Sequence, residues 1–165
     1  MIVFMPNESN RIIAEVNNIR KETKKIVWTN GCFDIIHKGH INYIMEARKN
    51  GNVLFLGLND DNSIKRLKGP TRPINLLDKR LSALNSLGLI DYCAVFSSDS
   101  PLLYLQLIKP DVYVKGGDYN LDTINQDERK FVESYGGKIV IANYLDGFST
   151  TKIIEANTLA QKEEK

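Results

Sequence analysis

The chain has 165 residues, 42% hydrophobic and 25% charged, the profile of one globular domain with enough interior to fold unaided. Its net charge of +2 lacks the large basic excess of a nucleic-acid-binding domain, and the separated Cys32 and Cys93 give no disulfide framework. Met1 to Pro6 is too short an apolar start for a signal peptide, and no run nears the roughly 20 residues of a membrane span. The expectation is a cytoplasmic protein with neither nucleic acid nor membrane as partner.

Ile12, Ile13, Val16 and Ile19 form an apolar stripe that predicts a helix over residues 8–21, behind a Ser9 or Asn10 cap. Lys25 to Thr29 reads as a short buried strand ending at Asn30-Gly31. A helix from Gly39 to Lys49 stops at Asn50-Gly51. Val53 to Leu58 is an apolar run of strand length, followed by a polar, basic loop and a helix from Leu76 to Leu87 closed by Gly88. Tyr92 to Phe96 is a strand, and Ser100-Pro101 opens a helix with Pro at its first position. Asp111 to Lys115 is a strand broken by Gly116-Gly117. Residues 126–135 read as a helix, Lys138 to Ala142 as a fifth strand, and Ser149 opens a last helix before the charged residues Gln161 to Lys165.

Strands that are apolar on both faces and alternate with helices predict an α/β fold. It is a Rossmann-like, doubly wound, five-stranded parallel sheet with helices on both faces. Ligands of such folds sit beyond the carboxyl ends of the strands. The unusual residues fall there: Asn30-Gly31, Asn59-Asp60, Lys115-Gly-Gly-Asp118 and Asp146-Gly147 each follow a strand.

Both histidines of the chain, His37 and His40, lie in the loop Thr29-Asn30-Gly31-Cys32-Phe33-Asp34-Ile-Ile-His37-Lys-Gly39-His40. At this spacing they could bind a metal if Cys32 completed the set, or be ordinary half-buried residues. They could also handle phosphate. Glycines let the backbone approach a ligand, the following helix offers unpaired amides and a positive dipole end, and two imidazoles on one turn donate to phosphate oxygens. Neither GxxxxGK[ST] nor GxGxxG occurs in the chain.

The segment resembles the HxGH motif of the nucleotidyltransferase superfamily, which also includes class I aminoacyl-tRNA synthetases. Its longer form, Gly-Cys-Phe-Asp-x-x-His-x-Gly-His, is similar to the cytidylyltransferase-like branch. Gly147-Phe-Ser149-Thr150-Thr151-Lys-Ile is similar to the Ser-Thr pair with which the superfamily opens its last helix, although Ser and Thr also serve as plain N-caps. Lys-Arg-Leu-Lys-Gly-Pro-Thr-Arg-Pro, Val-Lys-Gly-Gly-Asp-Tyr and Asp-Gly-Phe-Ser-Thr-Thr together resemble adenylyltransferases acting on D-glycero-β-D-manno-heptose 1-phosphate. On that reading residues 1–24 are an N-terminal helical extension, 25–157 the nucleotidyltransferase domain and 158–165 a charged tail. Glycerol-3-phosphate cytidylyltransferase is the nearest rival, but its Arg-Thr-x-Gly stretch is replaced here by Tyr144-Leu-Asp-Gly147. A catalytically silent nucleotide-binding module would be expected to have lost some of these motifs.

The resemblance implies that His37 and His40, with Lys68, are catalytic and stabilise the pentavalent transition state. It implies nucleotide binding by Thr29, Asn30, Gly31, Cys32, Phe33, Lys115, Gly117, Asp118, Gly147, Ser149 and Thr150. Substrate binding falls to Asp34, Asp60, Lys65, Lys68, Arg72 and Arg80. Mg²⁺ is expected to arrive with ATP, held by triphosphate oxygens and water and by no protein ligand. The expected partners are ATP, a sugar 1-phosphate, a second copy in a homodimer, and a separate heptose kinase that supplies the acceptor for an ADP-heptose product.

Overall fold

Every residue of Ile26–Thr29 and of Val53–Asn59 is buried, so these two segments form strands that need cover on both faces. The computed structural model, which describes residues 1–116 and 119–142, supplies it. In chain order the elements are β1 (Ile2–Phe4), α1 (Ser9–Lys21), β2 (Ile26–Gly31), α2 (Lys38–Arg48), β3 (Val53–Asn59) and α3 (Asp61–Lys68). They continue with α4 (Leu77–Ser86), β4 (Tyr92–Phe96), α5 (Leu102–Ile108), β5 (Val112–Lys115), α6 (Gln126–Ser134) and β6 (Lys138–Ile141). The strands make one parallel sheet in the order β1-β4-β3-β2-β5-β6.

Alternate strand residues feed two cores. Trp28, Phe55, Phe96 and Tyr113 face α1, α5 and α6, represented by Ile12, Leu105 and Val132. Val27, Leu56, Cys93 and Val114 face α2 and α4, represented by Ile44 and Leu84. The chain winds outward from β2 through β3 to β4, then crosses back to β5 on the other side of β2. With helices exchanging faces at that crossing, β2 and β5 flank the topological switch point, where a doubly wound sheet opens a crevice.

The sheet has six strands where five were expected. The extra one, β1, pairs with β4 through Ile2↔Tyr92 and Phe4↔Ala94. Three residues at a sheet edge, with Ile2 exposed and Phe4 fully buried, are too few to show a period in sequence. The helix expected over residues 8–21 is α1, which buries Ile12, Val16 and Ile19. The basic stretch after β3, read as a loop, is the helix α3. The Asp60 side chain caps it by accepting from the Ser63 amide at 2.7 Å. Only Ser63 and Ile64 of this helix are buried, so no apolar stripe announces it. The other described elements lie within a few residues of their expected positions, and none of the described helices is long and apolar enough to cross a membrane.

Two aspartates hold the amino-terminal edge of the sheet by the same device. Asp111, just before β5, accepts from the Ile26 amide at 2.7 Å and from Arg20 at 2.6 Å, while its own amide donates to the Ile26 carbonyl at 2.9 Å. Asp91, just before β4, accepts from the Leu54 amide at 2.8 Å and from Arg48, and its amide donates to the Leu54 carbonyl at 3.1 Å. Each carboxylate therefore sets the register between its own strand and the next, with an arginine from a covering helix as counter-ion.

Gly57 in β3 lies against Trp28, the one tryptophan of the chain. A Cβ at position 57 would stand 2.3 Å from Trp28 Cζ2 and 2.8 Å from Cη2, and the indole is fully buried. Gly57→Ala is expected to destabilise the fold by about 1–3 kcal/mol, the usual cost of overpacking a core. Urea unfolding followed by tryptophan fluorescence measures it, and an unchanged midpoint would show that the indole moves aside without cost.

Candidate active site

The loop that leaves β2 at the switch point is anchored on both sides. Thr29 is fully buried, and its hydroxyl donates to the Val114 carbonyl at 3.0 Å and meets the Tyr43 hydroxyl of α2. Asn30 faces β5, with its Oδ1 2.8 Å from the Tyr113 hydroxyl. A Cβ at Gly31 would lie 3.0 Å from the Phe33 ring, so the backbone passes close under that side chain. Phe33 takes a left-handed backbone, φ 47°, and its ring packs on His40 and Tyr43 with centroids at 5.2 and 6.4 Å. That turn brings the chain round to the first turn of α2.

His37 is the N-cap of α2, and its Nδ1 faces the His40 amide at 3.4 Å. A neutral His37 that accepts there carries its proton on Nε2. The two rings stack with centroids 3.9 Å apart. Burial pushes the His37 pKa below its ordinary value. For His40, burial and then the neighbouring His37 bring the pKa down to about 4, against an opposing hydrogen bond to the Ile35 backbone. At neutral pH both imidazoles are uncharged donors and acceptors. His40 Nδ1 is buried with no hydrogen-bond partner among the described residues. Behind the rings the first turn of α2 presents the positive end of its dipole.

The basic segment folds over this loop from the β3 side. Lys65 and Lys68 are exposed on α3, whereas Arg66 turns away to Asp99 at 2.9 Å and to the Ser97 carbonyl. Asp34, 3% exposed, accepts from the Ile74 amide at 2.9 Å, the Asn75 amide at 2.8 Å and Arg72 Nε at 2.6 Å. Burial alone would raise the Asp34 pKa, but the Asn75 and Ile74 amides and the Arg72 guanidinium outweigh it and the net shift is downward. Asp34 and Arg72 thus tie the histidine loop to the segment that follows Lys68. Asp60 caps α3 and accepts from the Ser97 hydroxyl at 2.5 Å.

Arg80 of α4 is 1% exposed and donates to the carbonyls of Cys32 and Asn59, each at 2.8 Å, to Asn75 at 3.0 Å and to Asp61 at 2.8 Å. Burial raises the Cys32 thiol pKa, opposed by Lys68, Arg80 and Arg72 in that order, which puts the Lys68 ammonium within electrostatic reach of the loop. On the far side of the switch point Lys115 ends β5, with its ammonium 3.4 Å from Glu128 of α6.

The structure therefore gathers Asn30, Gly31, Cys32, Phe33, His37, His40, Lys68 and Lys115 around one edge of the sheet. It turns the side chains of Thr29, Asp34, Asp60 and Arg80 inward, onto protein partners that shape that edge. Gly117, Asp118, Gly147, Ser149 and Thr150 lie outside the described residues. Among those described, no three His, Cys, Asp or Glu side chains cluster as a metal site. Tyr113 and Glu128 join the site unannounced by sequence, because a tyrosine in an apolar strand and a glutamate in a charged helix carry no local signal.

The depressed pKa of His40 has a measurable consequence. An unfolded imidazole protonates near 6.5 and the folded one only near 4, so as the pH falls the unfolded chain takes up the proton first. His40 therefore lowers stability progressively from about pH 6.5 to about 4 and adds no further loss below that. Titration of the His40 ring by NMR is expected to show its midpoint near 4, and a midpoint near 6.5 would mean the ring is solvated.

The Cytidylyltransferase-like family matches residues 28–156. The bifunctional protein HldE of Alcanivorax borkumensis is 48% identical over 149 residues, 90% of this chain and 31% of its own length. That of Geobacter sulfurreducens is 47% identical over 145 residues, 88% of this chain and 29% of its own. The chain thus spans about a third of the length of these relatives. Among solved structures, the lipopolysaccharide core biosynthesis protein of Thermoplasma volcanium is similar with a TM-score of 0.63 and 25% identity, covering 74% of this chain and 99% of that one. The pantoate-beta-alanine ligase of Francisella tularensis, 18% identical with a TM-score of 0.66 over 100% of this chain and 80% of its own, shares the fold. With the stacked histidines at the first turn of α2 and a family match from Trp28 onward, the chain belongs to the cytidylyltransferase-like family.

Proposed function

We propose that the chain transfers the AMP group of ATP to D-glycero-β-D-manno-heptose 1-phosphate, giving ADP-heptose and pyrophosphate. The carrying observation is the pair of neutral, stacked imidazoles at the first turn of α2, which follows β2 at the β2–β5 switch point. The sugar and base follow from the Lys65–Pro73 and Tyr144–Thr151 segments and their resemblance to heptose-phosphate adenylyltransferases. The similarity to a lipopolysaccharide core biosynthesis protein agrees with that reading.

The acceptor phosphate has a second pKa of about 6, so at neutral pH it is a dianion that needs no general base. Its oxygen forms a bond to the α-phosphorus as the bond to the β-phosphate bridging oxygen breaks, and pyrophosphate leaves with the electron pair. One anion attacks another, so the work of the protein is alignment and neutralisation. His37 Nε2–H and the His40 ring supply hydrogen bonds to α-phosphoryl oxygens, the α2 amino terminus adds its dipole, and Lys68 and Lys115 bring positive charge from either side. Ser149 and Thr150 hold the departing pyrophosphate. Mg²⁺ enters as part of the ATP substrate and neutralises its phosphates. A sugar kinase supplies the acceptor, and the reaction runs in the cytoplasm, on a homodimer.

Purified protein with Mg²⁺, each nucleoside triphosphate and a panel of sugar phosphates, read by pyrophosphate release, tests this. ATP with the heptose 1-phosphate is expected to be the best pair. His40→Ala is expected to cut turnover by about 10²–10³, the typical loss of one strong transition-state donor, with the thermal midpoint little changed. Preference for CTP with glycerol 3-phosphate would overturn the assignment, and nucleotide binding without turnover on any acceptor would indicate a silent module.

A further inference from the structure

Two buried opposite charges at the switch point need a reason for being there. Glu128 of α6 is 3% exposed and Lys115, at the end of β5, is 8% exposed. The Glu128 carboxylate accepts from the Ser100 hydroxyl at 2.8 Å on Oε1 and from the Tyr113 hydroxyl at 2.7 Å on Oε2, with Lys115 Nζ 3.4 Å from Oε2. The Lys115 ammonium also lies 5.0 and 5.1 Å from the ring centroids of Tyr113 and Tyr119. The Tyr113 hydroxyl, whose proton goes to Glu128, also lies 2.8 Å from Asn30 Oδ1 near the end of β2.

A buried ion pair is poor evidence for stability, since apolar residues of the same volume often pack as well or better. What apolar residues cannot do is hold a cation ready at the mouth of an anion site. Lys115 has a long flexible stem, and a carboxylate behind it with an aromatic face on either side removes most of its rotamer freedom before a ligand arrives. We propose that Glu128 is a positioning residue for nucleotidyl transfer: it fixes the Lys115 ammonium at the nucleotide phosphates. The proposal rests on the adenylyl-transfer reading, but needs only that ATP binds at this crevice.

The test uses the full chain and three variants, Glu128→Gln, Lys115→Met and the double substitution, with Mg²⁺-ATP affinity by calorimetry, kcat/KM for ATP, and the thermal midpoint as readouts. Glu128→Gln is expected to weaken ATP affinity or kcat/KM by about 10–100-fold, the range for groups that orient a ligand-binding side chain. It is also expected to lower the midpoint, because the buried Lys115 ammonium loses the Glu128 charge. In the double variant the midpoint is expected to recover towards wild type, while ATP affinity stays as low as in Lys115→Met alone. Recovery of affinity together with the midpoint in the double variant would mean that the losses come from destabilisation and not from the Lys115 ammonium, and that result overturns the proposal. So does wild-type affinity in Glu128→Gln, or a double variant whose loss is the product of the two single losses. If the wild type binds ATP but adenylates no heptose phosphate, the acceptor assignment fails while the affinity series still decides the role of Glu128.

Discussion

The guanidinium of Arg80 decides how the ends of β2 and β3 stand relative to one another. It lies in the interior and reaches the carbonyls of Cys32, Asn59 and Asn75 and the carboxylate of Asp61, so three separate stretches of chain, at Cys32, Asn59–Asp61 and Asn75, converge on one planar group. A buried cation with this many acceptors is strongly favoured where it is and costly to remove, because the carbonyls left behind would be buried without donors. Asp34 repeats the logic with the opposite sign, drawing in two amides and Arg72. Between them the loop that carries the histidines is held at its start by a cation and at its middle by an anion. The left-handed turn at Phe33 lies between those two anchors, and the stacked His37 and His40 follow directly after them.

The chemistry such a site performs depends on charge that is arranged in advance. His40 is uncharged at neutral pH because burial and its neighbour disfavour the imidazolium, so in the proposed reaction the attraction for phosphate falls to hydrogen bonds, the α2 amino terminus and the lysines. Neutral donors leave the incoming nucleophile less strongly bound in the ground state than a cluster of fixed cations would. Positive charge stands instead on Lys68 of α3, which follows β3, and on Lys115 at the end of β5, on either side of β2 in the sheet order. The β2–β5 boundary makes this possible, since chain segments leaving it diverge to opposite faces of the sheet.

Much of this was legible in sequence, for identifiable reasons. β3 and β4 appeared as unbroken apolar runs because both faces of a parallel sheet are covered, and the histidine loop because chemically distinctive residues stand contiguously in register. β1 and α3 were missed because a three-residue edge strand and a short polar helix with one buried aliphatic side chain have no period to detect. The inward roles of Thr29, Asp34, Asp60 and Arg80 were equally hidden. Arg80 finds its partner Cys32 from 48 positions away, and a polar residue near a strand end reads the same whether it faces ligand or backbone. Glu128 is the extreme case, one of several charges on α6 until Ser100, Tyr113 and Lys115 surround it.

The paired aspartates at the opposite edge of the sheet separate two demands that proteins often struggle to meet together. Asp91 and Asp111, with Arg48 and Arg20, secure strand alignment at the end farthest from the crevice. Alignment set there does not depend on which residues line the mouth. Loops at the open end can then exchange one acceptor or base for another over evolutionary time while the same frame persists, so a single scaffold can be inherited by enzymes with different substrates.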